Sequence, residues 1–154
     1  MKILLTNFHP RNGGGHVTYI VNLLRGLAAA HQLTVATPGS SRLYRLAQTI
    51  PGVKVVDMAF TTRPSSWLAD RAALRQLLVA NTFDTVHVNG SADHKQVMLA
   101  SFGLRHAPRI VFSKHNDSCT QATHCPVNYF GICLHKNYPA WRELYPKTLS
   151  EDVC

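Results

Sequence analysis

Three short polar segments, each following an apolar run, hold the residue types that do chemistry. The first is Asn12-Gly13-Gly14-Gly15-His16. Glycines let a backbone approach a ligand closely, and a helix starting there offers free N–H groups and a partial positive charge to a phosphate. His16 adds a donor. The same glycines suit a tight turn with no ligand. The second segment is His87-Val88-Asn89-Gly90-Ser91. Asn89 and Ser91 are candidates for hydrogen bonds to ligand hydroxyls; Ser91 equally suits a helix N-cap, with Asp93 in the first turn. His87 points away from the face of Val88 and reads as a satisfied core histidine. The third is Ser113-Lys114-His115-Asn116-Asp117. There His115 is a candidate acid, base or donor, and Lys114 a phosphate contact. A solvated strand exit would look the same.

The cysteines invite a metal reading. Cys119, Cys125, Cys133 and Cys154 all fall in the last 36 residues, near His124 and His135. Zinc sites favour paired ligands of the C-x2-4-C type. Gaps of five and seven residues, and His124 adjacent to Cys125, fit that poorly. No metal and no cofactor are expected. Without a secretory signal, a disulfide framework is not expected either.

The elements that must position the three segments follow from periodicity. Lys2–Thr6, 33–37, 53–60, 84–88 and 109–113 are short apolar runs that predict strands. Val17, Ile20, Val21, Leu24 and Ala28 predict an amphipathic helix over 16–30. Further helices are predicted over 42–49, over 67–80 with Leu68, Ala72 and Val79 on one face, and over 92–102. Pro64 falls in the loop before the third of these four. Strands alternating with helices predict a Rossmann-like α/β fold, a parallel sheet with helices on both faces. Such sheets bind ligands beyond the carboxyl ends of their strands, where all three polar segments fall.

Known nucleotide motifs are not matched. In G-x-G-x-x-G terms, Gly13 and Gly15 take the first two places but Thr18 takes the third. Thr37 and Pro38 stand where an acidic residue would hold a ribose. A nicotinamide-dependent enzyme is disfavoured, and no P-loop motif is present.

The alternation stops near Asp117. Residues 118–154 hold 5 of the 13 aromatic residues and no clear period. A helix turn over 140–145 and no sixth strand are expected there. The chain divides into a Rossmann-like domain, 1–117, and an irregular tail, 118–154.

Charge narrows the partners. The net charge is +8, and residues 1–117 carry all of it, with 13 basic against 5 acidic groups. That favours phosphorylated metabolites, nucleic acid or an anionic membrane surface, or serves solubility alone. No helix-turn-helix or RNP-like motif appears, so nucleic acid is not the expected partner. No apolar run reaches the ~18 residues of a membrane span, and the start is not a signal peptide. A cytoplasmic protein is expected, with contact at the inner membrane face as an option.

Taken together, the motifs resemble the N-terminal half of a GT-B glycosyltransferase of the group 1, or family 4, nucleotide-sugar transferases. Lys2-Ile3-Leu4-Leu5 with Gly13-Gly14-Gly15-His16 resembles that family's opening strand, Gly-rich loop and first helix. The stretch from His31 to Thr37 is similar to its second strand. Asp84-Thr85-Val86-His87-Val88-Asn89-Gly90 resembles its "DVVHVHG", and residues 111–117 its "VxTxHD".

The resemblance implies transfer of a sugar from a nucleotide-sugar donor to a glycan or lipid-linked acceptor, as in cell-surface polysaccharide or lipopolysaccharide synthesis. It implies that Gly13, Gly14, Gly15 and His16 face the donor diphosphate. His115 would lie near the transferred sugar and the acceptor hydroxyl, with Asn89, Ser91, Lys114 and Asn116 binding substrate. Asn89 stands where the family often has His, and Asn116 where Asp is common.

A GT-B enzyme works in the cleft between two such domains, so a C-terminal domain or partner chain is expected to complete the site. Little activity is expected from this chain alone. Arg63, Arg71 and Arg75 are candidates for anionic head groups, or for an ordinary solvated helix face. A divergent tail, a frameshifted end and a metal site remain the readings of 118–154, the frameshifted or truncated end preferred. The alternative function is a non-enzymatic basic module docking nucleic acid or a partner protein.

Overall fold

The computed structural model describes residues 1–10, 14–61, 64–113 and 131–133, with 64 and 131–133 as backbone alone. Five strands form where the apolar runs are too short for helices: β1 (Lys2–Thr6), β2 (Gln32–Thr37), β3 (Val53–Asp57), β4 (Thr85–Val88) and β5 (Arg109–Phe112). Between them run α1 (Gly14–Leu27), α2 (Arg42–Gln48), α3 (Pro64–Asn81) and α4 (Ser91–Ser101). A further strand, β6 (Gly131–Cys133), adds to β5. The sheet order is β3-β2-β1-β4-β5-β6, with every pair parallel. The α/β, Rossmann-like expectation holds.

β6 corrects the expectation of no sixth strand. Three residues are too few to show a two-residue period, and backbone pairing with β5 makes the segment a strand. The predicted turn at 140–145 lies outside the described residues.

Strand alternation divides the core between two faces. Ile3 and Leu5 of β1, with Leu33 and Val35 of β2, pack under Val17, Ile20 and Leu24 of α1 and Leu43 of α2. Leu4, Ala36, Val86 and Val88 face the other way, against Leu74 and Leu78 of α3 and Val97 and Ala100 of α4. Burying one such aliphatic side chain stabilises the fold by about 1.5–3 kcal/mol.

Local signals set the helix ends. The Ser41 hydroxyl accepts from the Tyr44 N–H at 3.0 Å and caps α2. Pro64, expected in a loop, instead opens α3. The first helical turn needs no N–H there and suits the proline's fixed φ. The predicted face of Leu68, Ala72 and Val79 is real but exposed; Leu74 and Leu78 form the buried stripe. α3 carries apolar residues on two sides, and packing against the sheet chooses between them. β3 stops at Asp57, short of the predicted 60, and Met58 and Phe60 turn into the core.

Candidate functional site

The sheet order reverses between β1 and β4. This is the switch point at which open α/β sheets leave a crevice beyond the strand ends. The last register pair of the two strands is Thr6↔Val88. Past it the chains part. The Asn7 N–H turns to the Ala36 carbonyl of β2 at 3.0 Å, while the Val88 carbonyl accepts from the Ser113 N–H at 2.9 Å.

The β1 exit leads to the glycine turn. Gly14 opens α1 with φ +50° and Gly15 follows, both exposed. Among the described residues, a Cβ at Gly15 would meet no atom within 4 Å. The His16 ring lies 5.2 Å from that of His9, itself 4.0 Å from Phe8. Burial, and then the charge of His16, hold His9 below the usual histidine range. Gly13 lies outside the described residues.

Asn89, at the β4 exit, is buried, and its amide donates to the Thr6 carbonyl at 3.0 Å. Its polar side chain faces inward. Ser91 is exposed as the first residue of α4, and Gly90 rather than Ser91 takes the cap position. His87 is fully buried and hydrogen-bonded through Nε2 to the Ser113 Oγ at 2.6 Å, the core role expected of it. The Tyr19 hydroxyl of α1 joins Ser113, and burial pushes that phenol up to about 12. Lys114, His115 and Asn116 lie outside the described residues.

Two features escaped the sequence reading. Asp93, legible there only as a first-turn acid, is fully buried. Its Oδ2 accepts from the Thr6 hydroxyl at 2.6 Å and the Asn89 N–H at 3.2 Å. Burial lifts its carboxyl to about 6. Thr6 is 87 positions away, beyond the reach of any local pattern. His94, the next residue, stacks on Phe112 at 4.7 Å, and burial lowers its pKa.

The arginines divide. Arg75 donates to the Ala100 and Phe102 carbonyls, each at 2.8 Å, and so ties α3 to the end of α4. Arg71 lies over the Trp67 ring at 6.0 Å. Arg63 is outside the described residues. Leu68, Val79, Leu99 and Phe102 are exposed on these two helices and their ends. An open cleft of about 640 Å³ lies at the opposite, amino edge of the sheet, lined by Lys2, His31 and Asp84 among others.

Among the described residues no three metal-ligating side chains cluster. Of the cysteine and histidine set, Cys133 alone is described, as backbone in β6. No described helix is long and apolar enough to cross a membrane.

No curated protein matches the chain. Residues 13–147 match the family model described as Glycosyltransferase Family 4, and the match runs through the change in composition near Asp117. With the parallel sheet and the crevice at its switch point, that match makes the chain a member of glycosyltransferase family 4.

Proposed function

We propose that this chain forms the acceptor-side half of an enzyme that moves a sugar from a nucleotide-sugar donor to a glycan or lipid-linked acceptor. Its setting would be cell-surface polysaccharide or lipopolysaccharide synthesis at the cytoplasmic face of the membrane. The observation that carries this reading is the convergence of the β1, β4 and β5 exits on one crevice. Family membership supplies the reaction class.

In this reading the N–H groups of the exposed Gly14 and Gly15 at the start of α1 meet the donor diphosphate, with Gly13 and His16 contributing to the same contact. His115 stands at the reacting sugar, and Ser91, Lys114 and Asn116 border the substrate, while Asn89, buried with its amide on the Thr6 carbonyl, holds the wall of the crevice. Residues 1–117 make the binding domain, and 118–154 follow it and add β6 to its sheet. A second domain or partner chain closes the cleft, because transfer needs both reactants held together. The basic surface, Arg71 included, favours an anionic membrane.

The test is isothermal titration of UDP-, GDP- and ADP-sugars into the purified chain, with His115→Ala as control. Binding to one nucleotide class that His115→Ala abolishes supports the reading. A folded chain that binds none of them overturns it.

A further inference from the structure

The backbone leaves the crevice unheld. Beyond Thr6↔Val88 the β1 exit bonds toward β2 and the β4 exit toward β5. The chain after β1 enters α1 on one face of the sheet, and the chain after β4 enters α4 on the other. The bonds that do cross the crevice come from side chains, and they close a ring. The Thr6 hydroxyl and the Asn89 N–H both donate to Asp93 Oδ2, and the Asn89 amide donates back to the Thr6 carbonyl. All three residues are at most 2% exposed.

The ring is also covered. A Cβ at Gly90 would run into the Phe8 ring and come within 2.9 Å of Asp93 Oδ1. Phe8 and the Asp93 carboxylate therefore both sit against the Gly90 backbone. The same Phe8 ring lies tilted against His9, and His9 lies near His16. A continuous line of contact thus runs from Asp93 through Gly90, Phe8 and His9 to the first turn of α1.

We propose that Asp93 is a positioning residue: it locks the β1 and β4 exits together and, through Phe8 and His9, sets where the Gly14-Gly15-His16 turn stands in the crevice. A carboxylate suits this task. Its short charge-assisted bond holds Thr6 more firmly than a neutral acceptor would, and the N-terminus of α4 favours the negative charge. The effect on ligand binding rests on the nucleotide-sugar reading; the effect on the turn does not.

The experiment uses the full chain with Thr6→Val, which removes the hydroxyl at constant shape, Thr6→Ser, which restores it, and Asp93→Ala. Each is measured well below its own melting temperature. The readouts are titration with UDP, GDP and ADP and the NMR signals of the Gly14 and Gly15 amides and the His16 ring. Thr6→Val is expected to shift those signals and weaken nucleotide binding about tenfold, with Thr6→Ser restoring both. Asp93→Ala has the larger effect. A lower melting temperature with unchanged signals and unchanged affinity would reduce the ring to a purely structural one and overturn the proposal. If the parent chain binds no nucleotide, the functional reading fails, and the turn signals alone decide. Shifts in Thr6→Val sustain the positioning role, and unshifted signals end it.

Discussion

His87 of β4 and Ser113 at the exit of β5 meet in the core, with Nε2 and Oγ 2.6 Å apart across 26 positions of chain. The alternation of β4 turns His87 away from Val86 and Val88, toward the face where α1 brings Tyr19. The two rings lie edge-on at 6.2 Å, and the Tyr19 hydroxyl bonds to Ser113. One serine thus joins β4, β5 and α1 just before Lys114 and His115.

His87→Ala therefore removes a fully buried ring and one of the two side-chain partners of Ser113. We expect a loss of about 3 kcal/mol in urea unfolding, with Ser113→Ala costing about 1–2 kcal/mol. A His87→Ala protein within about 0.5 kcal/mol of the parent would show that the trio holds nothing together.

Asp93 makes stability depend on pH in a defined direction. Its carboxyl lies at about 6 in the fold against an ordinary 3.8, chiefly through burial. The folded state binds this proton more tightly than the unfolded chain does. The resulting stability is full below about pH 4, falls as pH rises toward about 6 and is level above, a change on the order of 2–3 kcal/mol. His9 and His94 act oppositely. Their lowered pKa values give stability that is present above 6.5 and lost as pH falls below it. Subtracting an Asp93→Asn curve isolates the carboxyl. The parent-minus-variant unfolding free energy should fall between about pH 4 and 6, and a flat difference refutes the shift.

Gly90 has an extended backbone, φ −156°, so its glycine is required by contact and not by conformation. Gly90→Ala drives a methyl into the Phe8 ring. A cost of about 1–3 kcal/mol is expected. Adding Phe8→Ala should recover part of it, a non-additivity that a thermodynamic cycle measures. Strict additivity would place the clash elsewhere.

Gly15 is the opposite case. An added Cβ meets nothing among the described residues, and no positive φ forbids it. Gly15→Ala should leave stability unchanged or raise it by up to about 1 kcal/mol. If a diphosphate approaches this turn as proposed, the methyl should weaken nucleotide binding about tenfold. Equal affinity for parent and variant would remove the ligand from this turn.

Much of this was written in local pattern. The strand at Lys2–Thr6 was predicted to the residue, and the three polar segments do follow β1, β4 and β5. Apolar runs and helical spacing determine elements because each element reports its own buried face. The alternation then implies a parallel sheet, and a parallel sheet implies where its crevice opens. What only tertiary structure decided were the choices between equivalent local options. Which apolar side of α3 to bury, whether Gly-Ile-Cys at 131–133 joins an edge, and whether Asn89 faces out or in all depend on a neighbour far along the chain. The Thr6–Asp93 bond is the plainest case. Neither a threonine ending a strand nor an aspartate opening a helix carries a sign of the other. Folding brings them together because β1 and β4 are neighbours in space and α4 begins where β4 ends.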